Sequence, residues 1–250
     1  MRDLMLAGMV SLAALVSAVP GGSEAQGTKD GQRPPAEAPP KAPAAAALTP
    51  AYKPPLLGAP GGRIGGGTRG TAREIFVLSV LAPDHNALTV AEQPSLYWFI
   101  SKPTALPVEL TVMDPGTTRP LLETRLAAEA PGVHRVRLAD HGVRLTPGVP
   151  YRWYVAIVPD PGRRSRDILA GASIERVEPP ADLQARVTRA NRDELPSILA
   201  EAGLWYDAVE AISELIDSRP ADGELRRQRA ALLSQGGLPN VEPGDATAPR

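Results

Sequence analysis

The chain has 250 residues, 27 Lys+Arg against 28 Asp+Glu for a net charge of −1, and 28 Pro, 23 Gly and no Cys. A balance this close to neutral gives no global attraction to nucleic acid or to an acidic substrate. The missing Cys excludes a disulfide framework, a thiolate nucleophile and a lipid-modified Cys at a processed N-terminus, so the chain must be stabilised by its core alone.

Residues Met1 to Ala25 read as a secretory signal. Arg2 forms a short basic start, an apolar run extends from Leu4 to Val19, and Pro20-Gly21-Gly22 precedes the small-x-small site Ser23-Glu24-Ala25. That run is too short and too interrupted for a membrane span, so the expected product is periplasmic or secreted with no stable span after cleavage. From Gln26 to Arg73 the composition is Pro, Ala and Gly, which buries too little apolar surface to offset ordering entropy; a disordered linker over 26–73 is predicted. Within it, Gly65-Gly66-Gly67-Thr68-Arg69-Gly70 fits G-x-G-x-x-G, but a linker precedes it and a strand follows, so helix N–H groups would not face a phosphate there.

Strand-like runs then follow at short intervals: Ile75–Leu81, with Leu88–Val90 as its short continuation, Ser95–Ser101, Leu106–Met113, Pro120–Leu126, Val133–Leu138, Tyr151–Val158 and Ile168–Val177. Tyr151 to Val158 is apolar on both faces, the mark of an inner strand. Six of the ten aromatics lie in Tyr97-Trp98-Phe99 and Tyr151/Trp153/Tyr154, which places the heart of one core there. Leu145-Thr-Pro-Gly-Val-Pro-Tyr151 has the spacing of a tyrosine corner, in which a Tyr hydroxyl bonds back to the upstream backbone. Residues 74–178 are therefore predicted to form an antiparallel β-sandwich that resembles fibronectin type III and related immunoglobulin-like domains.

After Pro179-Pro180 the apolar period becomes helical: Ala181–Ala190, Asp193–Ala202, Trp205–Ser218 and Gly223–Gln235. The run Ala202 to Pro220 resembles the second helix of a tetratricopeptide unit, so 179–236 is expected to be a small tetratricopeptide-like module, with a disordered tail over 237–250. Leu88-Thr-Val-Ala-Glu-Gln-Pro-Ser-Leu-Tyr-Trp-Phe, Tyr151-Arg-Trp-Tyr and Glu201-Ala-Gly-Leu-Trp-Tyr-Asp-Ala resemble the signature blocks of domain-of-unknown-function family 928, exported bacterial proteins. The resemblance implies export and the strand-then-helix order, and it carries over no catalytic residue.

No G-x-S-x-G elbow or H-E-x-x-H helix occurs, and no cofactor or metal site is expected. His85 and His141 each follow an Asp, but adjacent residues on a strand point apart; His134 is the third His, and Glu92 is expected as a turn residue bonding backbone N–H. The candidate partner contacts are Arg163, Arg164 and Arg166 at a hairpin tip, suited to carboxylates or phosphates, and Trp205 and Tyr206, which serve either as a partner anchor or as pins between the helices and the sandwich. The expected function is non-enzymatic: an interaction or adaptor module for a protein partner in the bacterial cell envelope. A glycan or peptidoglycan ligand module is the alternative, and an unrecognised hydrolase the third reading.

Overall fold

The computed structural model describes residues 49–55, 63–65, 68–69 and 76–238. In chain order the strands are β1 (Thr68–Arg69), β2 (Phe76–Val80), β3 (Ala87–Thr89), β4 (Ser95–Ile100), β5 (Val108–Met113), β6 (Pro120–Leu126), β7 (Gly132–Arg137), β8 (Pro150–Ile157) and β9 (Ile168–Arg176). The helices α1 (Ala181–Arg189), α2 (Leu195–Glu201), α3 (Trp205–Ser218) and α4 (Gly223–Gln235) follow. The expected signal segment 1–25 and most of the expected tail lie outside the described residues.

The strands build two sheets, a four-stranded one in the order β1-β2-β4-β7 and a five-stranded one in the order β3-β9-β8-β5-β6. β8 is thus the middle strand of the larger sheet, as its two apolar faces require. Sequence patterning misplaces β3. It does not extend β2 but crosses to the other sheet and pairs with β9 in parallel, Leu88 opposite Glu175, so the expected all-antiparallel arrangement carries one parallel pair.

Alternation sets the faces. In β5, Val108, Leu110 and Val112 are buried while Glu109, Thr111 and Met113 are half-buried on the outer side. β4 is buried along its whole length, because one face meets strands and the other meets α3. Trp98 and Trp153 are both buried in one core cluster that also takes in Trp205, Tyr206, Ile212 and Leu232 from the helices. The turn before β8 is held as its spacing predicts: the Thr146 amide donates to the Tyr151 hydroxyl at 3.2 Å, and Gly148 turns the chain at φ +75°.

Part of the expected linker is ordered. Residues 49–55 lie against the helices, with the Tyr52 amide donating to Gln235 Oε1 at 2.7 Å and the Lys53 amide to the Ala200 carbonyl at 3.1 Å. Residues 63–65 lie along β9, where Ile64 and Gly171 exchange backbone hydrogen bonds of 2.8 and 2.7 Å. Composition alone cannot reveal one buried Tyr in a Pro-rich run.

Helix ends follow local chemistry. Asp222 caps α4 by accepting the Glu224 amide at 2.9 Å, and Gly203, at φ +78°, breaks α2 from α3. Pro196 falls in the first turn of α2, where its missing N–H costs nothing.

Candidate functional site

The outer face of the five-stranded sheet gathers the accessible apolar and cationic side chains. Thr111, Tyr154 and Gly171 are neighbours across β5, β8 and β9, and Ile64 extends the row beyond β9. Gly171 is required here, since a Cβ would lie 2.4 Å from the Tyr154 ring. Tyr154 is half-buried, whereas Leu169 and Ile64 are 40% and 42% exposed. The adjacent row is Glu109, Ala156 and Leu169.

The Arg-rich tip joins this face. Asp160 accepts the amides of Gly162, at 3.0 Å, and Arg163, at 2.9 Å, and a 3-10 turn over Arg164–Arg166 follows. Arg164 reaches back to Glu109 at 2.6 Å and to Asp167 at 2.9 Å. Its hydrogen bond holds the Glu109 carboxyl below the usual carboxylate range. Arg163 lies 3.8 Å from Asp160, and among the described residues no carboxylate is within ion-pair distance of Arg166. One of the three arginines is therefore anchored to the sheet, and the other two are presented beside it.

Trp205 and Tyr206 point inward. Trp205 donates its indole N–H to the Leu81 carbonyl at 2.8 Å, Trp153 donates to the Tyr206 hydroxyl at 2.9 Å, and that hydroxyl donates to the Ser173 carbonyl at 2.8 Å. Both residues are fully buried and serve as pins from α3 to the two sheets; neither offers a surface to a partner. The physical reason is one of direction: an amphipathic helix aims its aromatics at whatever core is available.

Sequence spacing misses a second cluster. The Tyr52 ring stacks on His85, with centroids 5.8 Å apart, and meets Trp205 edge-on at 4.8 Å. The Tyr52 hydroxyl is 2.8 Å from His85 Nε2, and His85 Nδ1 is 3.8 Å from Asp84. Burial raises the Tyr52 phenol and lowers the His85 imidazole, so both are neutral near pH 7, and Tyr52, His85 and Trp205 form a clasp that holds residues 49–55 against the fold. Arg63 closes its flank by donating to the carbonyls of Ala82, Gly236 and Gly237.

The remaining candidates are placed individually. His134 stacks on Trp98 with centroids 4.5 Å apart and bonds the Ala130 carbonyl at 2.9 Å; His141 is exposed at the end of a 3-10 turn. Glu92 lies in a bend, where its carbonyl accepts the Leu145 amide at 2.9 Å, and its side chain pairs with Arg144 and, at 3.7 Å, with Arg176. Of the G-x-G-x-x-G stretch, Gly65 is placed close to β9, where a Cβ would lie 1.9 Å from the Leu169 carbonyl, and the next described elements are β1 and β2. Its φ of +79° and this approach explain that glycine without a phosphate. Among the described residues no group of three or more His, Asp or Glu could hold a metal, and no helix is long and apolar enough to cross a membrane.

The family described as Domain of Unknown Function (DUF928) has a model that matches residues 64–245. The chain belongs to the DUF928 family. No curated protein matches it. The DUF928 match begins at Ile64, the residue that bridges to Gly171, and takes in the Tyr154 row, the Arg tip and all four helices. Tyr52 lies before it.

Proposed function

We propose that this DUF928 chain is a non-enzymatic interaction module of the bacterial cell envelope, and that it docks a protein partner through the outer face of its five-stranded sheet. The observation that carries the reading is the row Ile64, Gly171 and Tyr154 with Leu169 beside it and the Arg163/Arg166 tip at its margin. An accessible aromatic with aliphatic neighbours and a guanidinium rim is the composition of interface hot spots, and it suits a partner that presents an apolar side chain flanked by carboxylates. The Met1–Ala25 pattern supports export, and the Pro- and Ala-rich composition that follows it supports a leash before the fold.

The strand order supports an immunoglobulin-like sandwich, with β2-β4-β7 as one sheet, β9-β8-β5-β6 as the other and the short β3 beside the last strand. The α2–α3 hairpin, broken at Gly203 and ended before Pro220, supports the tetratricopeptide-like reading of the helical end. A second reading, a glycan ligand, draws on Tyr154 alone, since a half-buried ring on a sheet face can stack on a sugar.

The test is affinity purification of the full chain from envelope fractions beside Leu169→Glu and Tyr154→Ala. A partner retained by the wild type and lost from both variants supports docking through this face. A partner retained equally by all three rules it out, and recovery of saccharide that depends on Tyr154 alone selects the glycan reading.

A further inference from the structure

The five-stranded sheet ends in a bare edge. β6 pairs with β5 on one side, and among the described residues nothing pairs with its other side over Pro120–Leu126. At the opposite end of this sheet α3 meets the short β3, bonding to Thr89 and Val90, and it also pairs with Arg135 across the face of the four-stranded sheet. An uncovered strand of seven residues is a template for strand addition.

We propose that β6 is a self-pairing edge, and that two copies of this chain join their five-stranded sheets through antiparallel β6–β6 contact about a twofold axis at Thr124. The sequence of the strand is complementary to itself in that register. Residues whose numbers sum to 248 face each other, so Glu123 meets Arg125 of the second copy twice over, Leu122 meets Leu126, and Thr124 meets its own counterpart. The two ion pairs fall on the outer face, because Glu123 and Arg125 share it with Thr111 and Glu109, and both are exposed in the single chain. The leucines and Thr124 fall on the inner face with Val112, Leu110 and Val108; they are half-buried now and would be covered by the neighbouring copy. Opposite charges and Thr–Thr pairs are the cross-strand partners that stabilise antiparallel sheets.

The strand's ends fix the register. Pro120 has no N–H to offer, and at the Thr124-centred register it sits opposite Ala128, beyond the last strand residue. The Ala128 carbonyl is already taken by the Thr104 amide at 3.0 Å, which closes the ladder there. A shift by two residues one way sets Glu123 against itself and brings Pro120 opposite Leu126, and a shift by two the other way sets Arg125 against itself. This contact is independent of docking on the outer face and holds whether or not that face takes a partner.

Sedimentation equilibrium on the full chain and its variants tests it. The wild type is expected to dimerise, Glu123→Arg and Arg125→Glu alone each to raise the dissociation constant about tenfold or more, and the double exchange to restore it. An equimolar mixture of the two single variants is expected to form a heterodimer, since the two arginines on the edge of one variant then face the two glutamates on the edge of the other. Both substituted positions are exposed, so folding is not at stake. A monomeric wild type at ~1 mM, or a dimer indifferent to the single exchanges, overturns the proposal.

Discussion

The Trp153 indole N–H donates to the Tyr206 hydroxyl at 2.9 Å, and that hydroxyl donates its own proton to the Ser173 carbonyl at 2.8 Å. One phenol from α3 thereby satisfies a buried donor on β8 and a buried acceptor on β9, within a core shared by strands and helices. The helical end is held by polar contacts of defined direction as well as by apolar area.

Tyr206→Phe keeps the ring and removes both hydrogen bonds, which leaves the Trp153 N–H and Ser173 C=O with no partner on α3. The expected cost is about 1–3 kcal/mol in urea unfolding with an unchanged m-value. A loss too small to measure would mean that neither group depends on the phenol.

Asp207 gives a pH signature. Burial raises its carboxyl from the usual 3.8 to about 6, against hydrogen bonds from Thr89 and the Val90 amide that favour ionisation. The folded chain therefore holds this proton more tightly than the unfolded chain, and its contribution to stability falls as pH rises from about 4 to about 6, by up to ~3 kcal/mol. Asp207→Asn is expected to flatten the stability profile in that window relative to the wild type, as measured by thermal unfolding from pH 4 to pH 7. Parallel profiles would show that Asp207 ionises as it does in the unfolded chain.

Gly236 reports on the fit of α4. A Cβ there would lie 2.3 Å from the Trp205 ring, which is itself fixed to Leu81. Gly236→Ala is expected to cost about 1–3 kcal/mol, read as a lowered melting temperature.

The Tyr52 clasp is tested by hydrogen exchange. Tyr52→Ala removes the ring between His85 and Trp205 together with the bond to Nε2, and the Lys53 amide, which donates to the Ala200 carbonyl, is expected to exchange several-fold faster than in the wild type. Equal rates would mean that the bonds to Ala200 and Gln235 hold residues 49–55 unaided.

Much of the fold is legible in the sequence because its signals are local. Alternation in β5, the apolar faces of β8, the Tyr151 spacing and the Asp222 cap of α4 each state their own geometry within a few residues. β3 escapes such a reading because three residues carry no sign of which sheet they join, and the parallel pairing with β9 rests on a partner far along the chain. The Tyr154 row shows the same limit. Strand spacing predicts its alternation, but only the register with Gly171 and the bridge to Ile64 makes it one surface. Trp205 and Tyr206 stand out in the sequence as energetic residues, while their inward direction depends on the sheets they meet.

The docking face is tested most directly by a photo-crosslinking residue placed at Leu169 in living cells, with the exposed Arg226 of α4 as the control position. A discrete crosslinked protein from position 169 alone, abolished by Tyr154→Ala, is the expected result. Crosslinks from position 226 and none from 169 would contradict docking through the outer face of the five-stranded sheet.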